Sequence, residues 1–300
     1  MDIAQLDELR IVLDPFGQAA LALALMLLMF SIALNLSPKD FSLLLTQRAQ
    51  LIGGVVAQVV ALPVVTFLLV LLIKPAPSIA LGMFVVACCP GGVVSNYFTY
   101  LAGGNVAYSV TLTATSSAMA AILTPASILF WSQSYEPTAL LLQSIDFSPL
   151  AFLLQTTILL VIPLLVGMFI VGRNPGVARR LQKKVAWIGT LALIAAIIYG
   201  SIEFLPMLWP AMPMLVGITI VHNTAALATG TTAGLLLGCD KPTRRALVFE
   251  VGIQNSGLAI VILIAQFQGL GGAAAMAAVW SLWHLLAGST TAAAMRRFDF

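Results

Sequence analysis

Glu250 stands in the run Phe249-Glu250-Val251-Gly252-Ile253-Gln254-Asn255-Ser256-Gly257, where a carboxylate, two amides, a hydroxyl and two glycines interrupt an apolar span. Ten of the eleven acidic residues lie in or beside polar connections, and Glu250 is the exception. A carboxylate at that depth costs several kcal/mol unless something pairs with it. A second irregular run, Cys88-Cys89-Pro90-Gly91-Gly92-Val93-Val94-Ser95-Asn96, puts a proline and two glycines in mid-span. Proline removes a backbone hydrogen bond and clashes with the preceding turn, so the helix is expected to break there. In the first run, Gln254, Asn255 and Ser256 can bond freed backbone groups, which predicts a second break at comparable depth.

The elements that carry these runs are apolar. Of 300 residues, 60% are hydrophobic and only 8% charged, with a mean hydropathy of +1.04, more than any soluble core requires. The chain therefore reads as an all-α polytopic membrane protein. A net charge of +3 gives no reason to expect nucleic acid as a partner. The acidic start, Met1 to Glu8, lacks the positive region of a secretory signal and reads as mature sequence. Cys88, Cys89 and Cys239 have no metal-ligand spacing and read as reduced, buried residues.

Nine stretches are long enough to cross about 30 Å of hydrocarbon. Their limits are near 16–36, 50–73, 78–100, 104–131, 148–172, 184–201, 208–238, 243–265 and 271–295. One set of alternate connections holds twelve of the fourteen Lys and Arg residues, and the other only Arg10 and Lys74. That bias predicts an outside N-terminus and a cytoplasmic C-terminus in the cell's inner (plasma) membrane. Spans two to four then start from the cytoplasm and spans seven to nine from outside, the arrangement of inverted repeats. Each triplet has its interrupted helix in the middle. Paired breaks at matching places in inverted halves point to a transporter's binding site, because half-helix ends and unwound carbonyls can face a midplane cavity. Kinks made only for helix packing are the competing explanation.

The stretch CCPGGVVSNYFTYLAGGNVAYSVTLT, the Leu123-Thr124-Pro125 triplet, EVGIQNSGLA, and Ser281 to His284 (SLWH) resemble the bile acid:sodium symporter family over roughly residues 30 to 295. The resemblance implies a core domain, here helices in 50–131 and 208–295, in which the broken helices 78–100 and 243–265 cross. It implies a panel domain of the helices at 16–36, 148–172 and 184–201. It also implies two sodium ions. By motif, the first would be held by Ser95, Asn96, Ser109, Thr113 and Glu250, and the second by Gln58, Glu250, Gln254 and backbone carbonyls near Val251 and Ile253. Oxygen ligands suit a hard cation, and the i, i+4 spacing puts Ser109 and Thr113 on one helix face. Gln58 is the one polar side chain in Gly53 to Val60 and needs a polar partner.

By the same resemblance, a small organic anion, a bile acid or a pantoate-like carboxylate, would bind between the domains. Its contacts would come from Val93 and Val94 backbone groups, Asn255, Ser256 and His284, with import by alternating access. Val93 stands where several bacterial members carry a hydroxyl, and Leu285 where an amide often follows Trp-His, so fewer polar contacts remain. Sodium-free carriage, proton-coupled or uncoupled, and a channel are alternatives. An intramembrane hydrolase built on Ser256 or Ser95 near His284 would show a G-x-S-x-G turn or an H-E-x-x-H helix, and neither is present.

Overall fold

A computed structural model describes residues 5–9, 15–34, 36, 47–145 and 147–298. The elements of the described residues are helices, in the order α1 (Gln5–Glu8), α2 (Pro15–Ala33), α3 (Arg48–Ile73), α4 (Pro77–Cys88), α5 (Val93–Leu101), α6 (Val106–Ser134), α7 (Glu136–Ser144), α8 (Pro149–Arg173), α9 (Pro175–Leu208), α10 (Met212–Leu236), α11 (Lys241–Gly252), α12 (Ser256–Gln266) and α13 (Gly271–Phe298). Among them, α3, α6, α8 and the stretch Trp209–Leu236 containing α10 are each long and apolar enough to cross a bilayer alone.

Local chemistry sets the helix ends. Proline occupies the first or second position of α4, α8, α10 and α11, where its missing N–H costs nothing. Asn105, Ser148, Asp240 and Asn255 cap α6, α8, α11 and α12 by accepting from Tyr108, Ala151, Thr243 and Leu258 N–H groups. The apolar run 184–201 lies inside the longer α9, because the basic segment after Pro175 is helical as well. Elements α1 and α7 have no counterpart among the nine apolar runs.

Both expected breaks are present. At 12 and 9 residues, α4 and α5 span about 18 and 14 Å at 1.5 Å per residue, so neither crosses a bilayer alone. Between them the chain is extended at Cys89 (φ −75°, ψ 151°) and at Gly92 (φ −114°, ψ 171°). The second break lies at Ile253 to Asn255, and Ser256 already begins α12. The two breaks meet: Gly91 and Gln254 pair as an antiparallel bridge, and Asn255 N–H donates to the Pro90 carbonyl at 2.8 Å. Each irregular segment thus satisfies part of the other's backbone, which no lipid could do. A Cβ on Gly91 would lie 2.9 Å from Gln58 Nε2 and 3.1 Å from Glu250 Oε2, so a larger residue at the junction must displace these two side chains.

Packing surrounds this junction. Every residue of α4 from Ser78 to Cys88 is buried, as expected of a helix apolar on all sides and enclosed by others. It lies against α3, α6, α12 and α13, while α11 packs along α10, α5 and α6. Helix α2 packs chiefly against α8 and α9.

Candidate functional site

The α4–α5 break starts α5 so that Ser95 and Asn96 lie in its first turn, and α6 presents Ser109 and Thr113 one turn apart on the facing side. Ser95, Ser109 and Thr113 meet Glu250, which is completely buried on α11. Its Oε1 accepts from Ser95 Oγ at 2.6 Å and Ser109 Oγ at 2.5 Å, and its Oε2 accepts from Thr113 Oγ1 at 2.7 Å. Asn96 Oδ1 lies 2.7 Å from Ser109 Oγ and 3.3 Å from Thr113 Oγ1. No hydrogen bond to the carboxylate comes from a basic side chain among the described residues. Four oxygen-bearing side chains from two helices thus gather around one buried carboxylate.

A second group forms on the other side of Glu250. Gln58 lies within a π-helical turn, Ala57–Ala61, that interrupts α3, and its Nε2 donates to the Glu250 backbone carbonyl at 3.0 Å. Such single π turns are frequent at functional positions because they re-aim one side chain. Gln254 Nε2 donates to the Val251 carbonyl at 2.7 Å. Both amide oxygens, Gln58 Oε1 and Gln254 Oε1, are buried without a partner among the described residues. The Ile253 N–H closes onto the Phe249 carbonyl at 2.9 Å.

A cavity of about 340 Å³ opens beside the first group, lined by Ile32 and Leu36 on one side and by Val93, Asn96, Thr113 and Ser117 on the other. Asn96 and Thr113 therefore belong both to the oxygen cluster and to the cavity wall. Val93 and Val94 are exposed at the start of α5. Asn255 uses its side-chain oxygen to cap α12, and Ser256 is buried behind it. His284 is buried, with Nδ1 at 2.8 Å from the Trp280 carbonyl one turn back on α13.

Several contributors lie outside the ligand sets expected from sequence. Thr99 Oγ1 lies 3.2 Å from Ser109 Oγ behind the cluster, and Thr124 Oγ1 donates to the terminal carbonyl of α4, at Cys88, at 2.9 Å. Asn223 Nδ2 donates to the Gly252 carbonyl at 2.7 Å. Ser117 continues the Ser109, Thr113 face by another turn, and its buried hydroxyl has no partner among the described residues. The i, i+4, i+8 spacing of Ser109, Thr113 and Ser117 is a signal that sequence alone carries.

The "Sodium Bile acid symporter family" model matches residues 22–205. The "Uncharacterized sodium-dependent transporter YocS" of Bacillus subtilis (strain 168) is 32% identical over 89% of this chain and 79% of its own length. The "Probable sodium/metabolite cotransporter BASS1, chloroplastic" of Arabidopsis thaliana is 29% identical over 90% of this chain and 65% of its own, and the "Ileal sodium/bile acid cotransporter" of Homo sapiens 25% over 82% and 69%. These relatives are named as transporters, not enzymes. With that match across more than half of its length, the chain belongs to the sodium bile acid symporter family.

Proposed function

We propose that the protein is a symporter that imports a small organic anion together with two sodium ions, through nine membrane spans with the N-terminus outside and the C-terminus in the cytoplasm. The observation that carries this reading is the Glu250 carboxylate, buried and met by three hydroxyls but by no basic group. A hydroxyl that donates to the carboxylate can rotate and offer its lone pairs to a cation instead. Ser95, Ser109, Thr113 and the Asn96 amide oxygen, with Glu250, then form an all-oxygen shell suited to sodium. The second ion would take the unpartnered Gln58 and Gln254 oxygens, Glu250 and carbonyls near Val251 and Ile253.

The cavity supports the placement of the anion. At about 340 Å³ it is the size of a small-molecule site. The N-terminal turn of α5 opens on it at Val93, and a helix N-terminus favours negative charge. Because Asn96 and Thr113 wall both cavity and cation cluster, a bound sodium orders that wall and neutralises Glu250 before the anion arrives. Ser117 offers the anion a further hydroxyl, while Asn255, Ser256 and His284 are not among the described residues that line the cavity. The mainly apolar lining suits a carboxylate with substantial hydrocarbon, such as a bile acid or a pantoate-like acid. The packing of α2 with α8 and α9 supports a panel separate from a core that holds the two breaks. Movement of core against panel then exchanges the cavity between the two faces. Inward movement of net positive charge is favoured by roughly 2.3 kcal/mol per charge per 100 mV.

Uptake by proteoliposomes tests the reading. Uptake of taurocholate or pantoate is expected to saturate, to rise sigmoidally with external sodium and to vanish in Glu250→Gln. Equal uptake with potassium in place of sodium contradicts it.

A further inference from the structure

The C-terminus of α11 is accounted for carbonyl by carbonyl. A helix leaves its last four carbonyls without intrahelical partners unless the next turn continues. Here Phe249 is satisfied by the Ile253 N–H, and the chain then leaves the helix. The next three carbonyls are each taken by a side-chain amide: Glu250 by Gln58 Nε2 at 3.0 Å, Val251 by Gln254 Nε2 at 2.7 Å and Gly252 by Asn223 Nδ2 at 2.7 Å. A carbonyl partner requires the NH2 side of an amide, so the orientation of all three follows from the contact. All three amide oxygens, Gln58 Oε1, Gln254 Oε1 and Asn223 Oδ1, are left buried without a partner among the described residues.

Asn223 reaches this collar from α10, whose approach to α11 is unusually close. A Cβ on Gly252 would lie 2.3 Å from Leu227 Cδ2, and one on Gly230 would lie 2.4 Å from the Leu247 carbonyl oxygen. Asn223, Leu227 and Gly230 follow one another along α10 at i, i+4 and i+7, a single face pressed against α11. The Asn223 side chain is thereby held with little freedom, and it fixes the peptide plane between Gly252 and Ile253.

We propose that Asn223 is a positioning residue of the second sodium site, holding the Gly252 carbonyl so that the carbonyls on either side, of Val251 and Ile253, are presented to the ion. This rests on the sodium-coupled reading above. Gln58 and Gln254 supply oxygens to the ion. Asn223 acts through the backbone, as outer partners of metal ligands do, and loss of such partners typically weakens affinity about 10- to 100-fold.

The test is a sodium titration of the thermal stability of the purified full-length protein at constant ionic strength, with choline as the replacement cation. Wild type, Asn223→Ala, Gln58→Ala and the double variant are compared, with Thr229→Ala on the same helix as a control. The proposal expects Asn223→Ala to raise the half-saturating sodium concentration at least about 10-fold, and to have no further effect once Gln58→Ala has disabled the site. A purely structural role would lower the melting temperature in choline while leaving the half-saturating concentration at the wild-type value, and that result overturns the proposal, as does an additive effect in the double variant. If Asn223→Ala does not fold, Asn223→Ser, which keeps a hydroxyl donor, is titrated instead, with a smaller rise expected and an unchanged value again overturning the proposal. A wild type that does not respond to sodium defeats the sodium-coupled reading itself, an outcome distinct from a responsive wild type with an indifferent Asn223.

Discussion

The two sides of Glu250 are built differently. On the side of α5 and α6, the hydroxyls of Ser95, Ser109 and Thr113 all have partners, and they find them in the carboxylate itself. On the side of α3 and the second break, the amides of Gln58 and Gln254 spend their N–H groups on carbonyls and leave both oxygens bare. The hydroxyl side is self-satisfied without an ion, so a cation entering it must replace hydrogen bonds already made. The amide side carries buried acceptors that gain a partner only when something positive or hydrogen-bearing arrives, and leaving them bare costs about 1–3 kcal/mol each. Sodium binding is therefore expected to relieve more on the amide side, and the shared carboxylate makes the two sides interdependent.

Removing what the sides share gives the largest effect. Glu250→Ala is expected to abolish the sodium-dependent stabilisation, which for a single site at a hundred times its dissociation constant is about 2.7 kcal/mol. A sodium titration of melting temperature reads it. Next comes the junction between the sides: Gly91→Ala drives a methyl against Gln58 Nε2 and Glu250 Oε2. It should destabilise the protein by about 1–3 kcal/mol, the usual cost of overpacking, and blunt the sodium response. Gln58→Ala separates the sides, and the Hill coefficient for sodium in anion uptake is expected to fall towards one while uptake persists at higher sodium. Thr124→Val, which strips the Cys88 carbonyl of its donor but takes no oxygen from either group, is expected to cost about 1 kcal/mol of stability and leave the sodium dependence unchanged. Equal sodium phenotypes for Thr124→Val and Gln58→Ala would erase the distinction between scaffold and site.

What was legible in the sequence was legible because it was out of place. Pro90-Gly91-Gly92 in mid-span announced a broken helix, and Glu250 announced a buried charge that needed donors. The residue-level detail of the first group came from the resemblance to the bile acid:sodium symporter family, with which the shared helix face of Ser109 and Thr113 agrees. Asn223 reads from sequence only as part of a polar segment that supports the core, and Thr124 only as the middle of the Leu123-Thr124-Pro125 triplet, because their individual roles exist through carbonyls on other helices at the ends of α11 and α4. The π turn at Gln58 shifts a side chain by one residue's worth of rotation, which no apolar pattern records. The second break falls at Ile253 to Asn255, at the head of the polar run, because Asn255 caps the helix that follows.

The account stands on one carboxylate serving as the anionic centre of a sodium site. The most direct measurement is the melting temperature of the purified protein in sodium and in potassium at equal ionic strength, with wild type beside Glu250→Ala. The account predicts a sodium-specific rise in wild type that is absent from the variant. Identical melting temperatures in the two salts for wild type, or a rise that survives in Glu250→Ala, would contradict it.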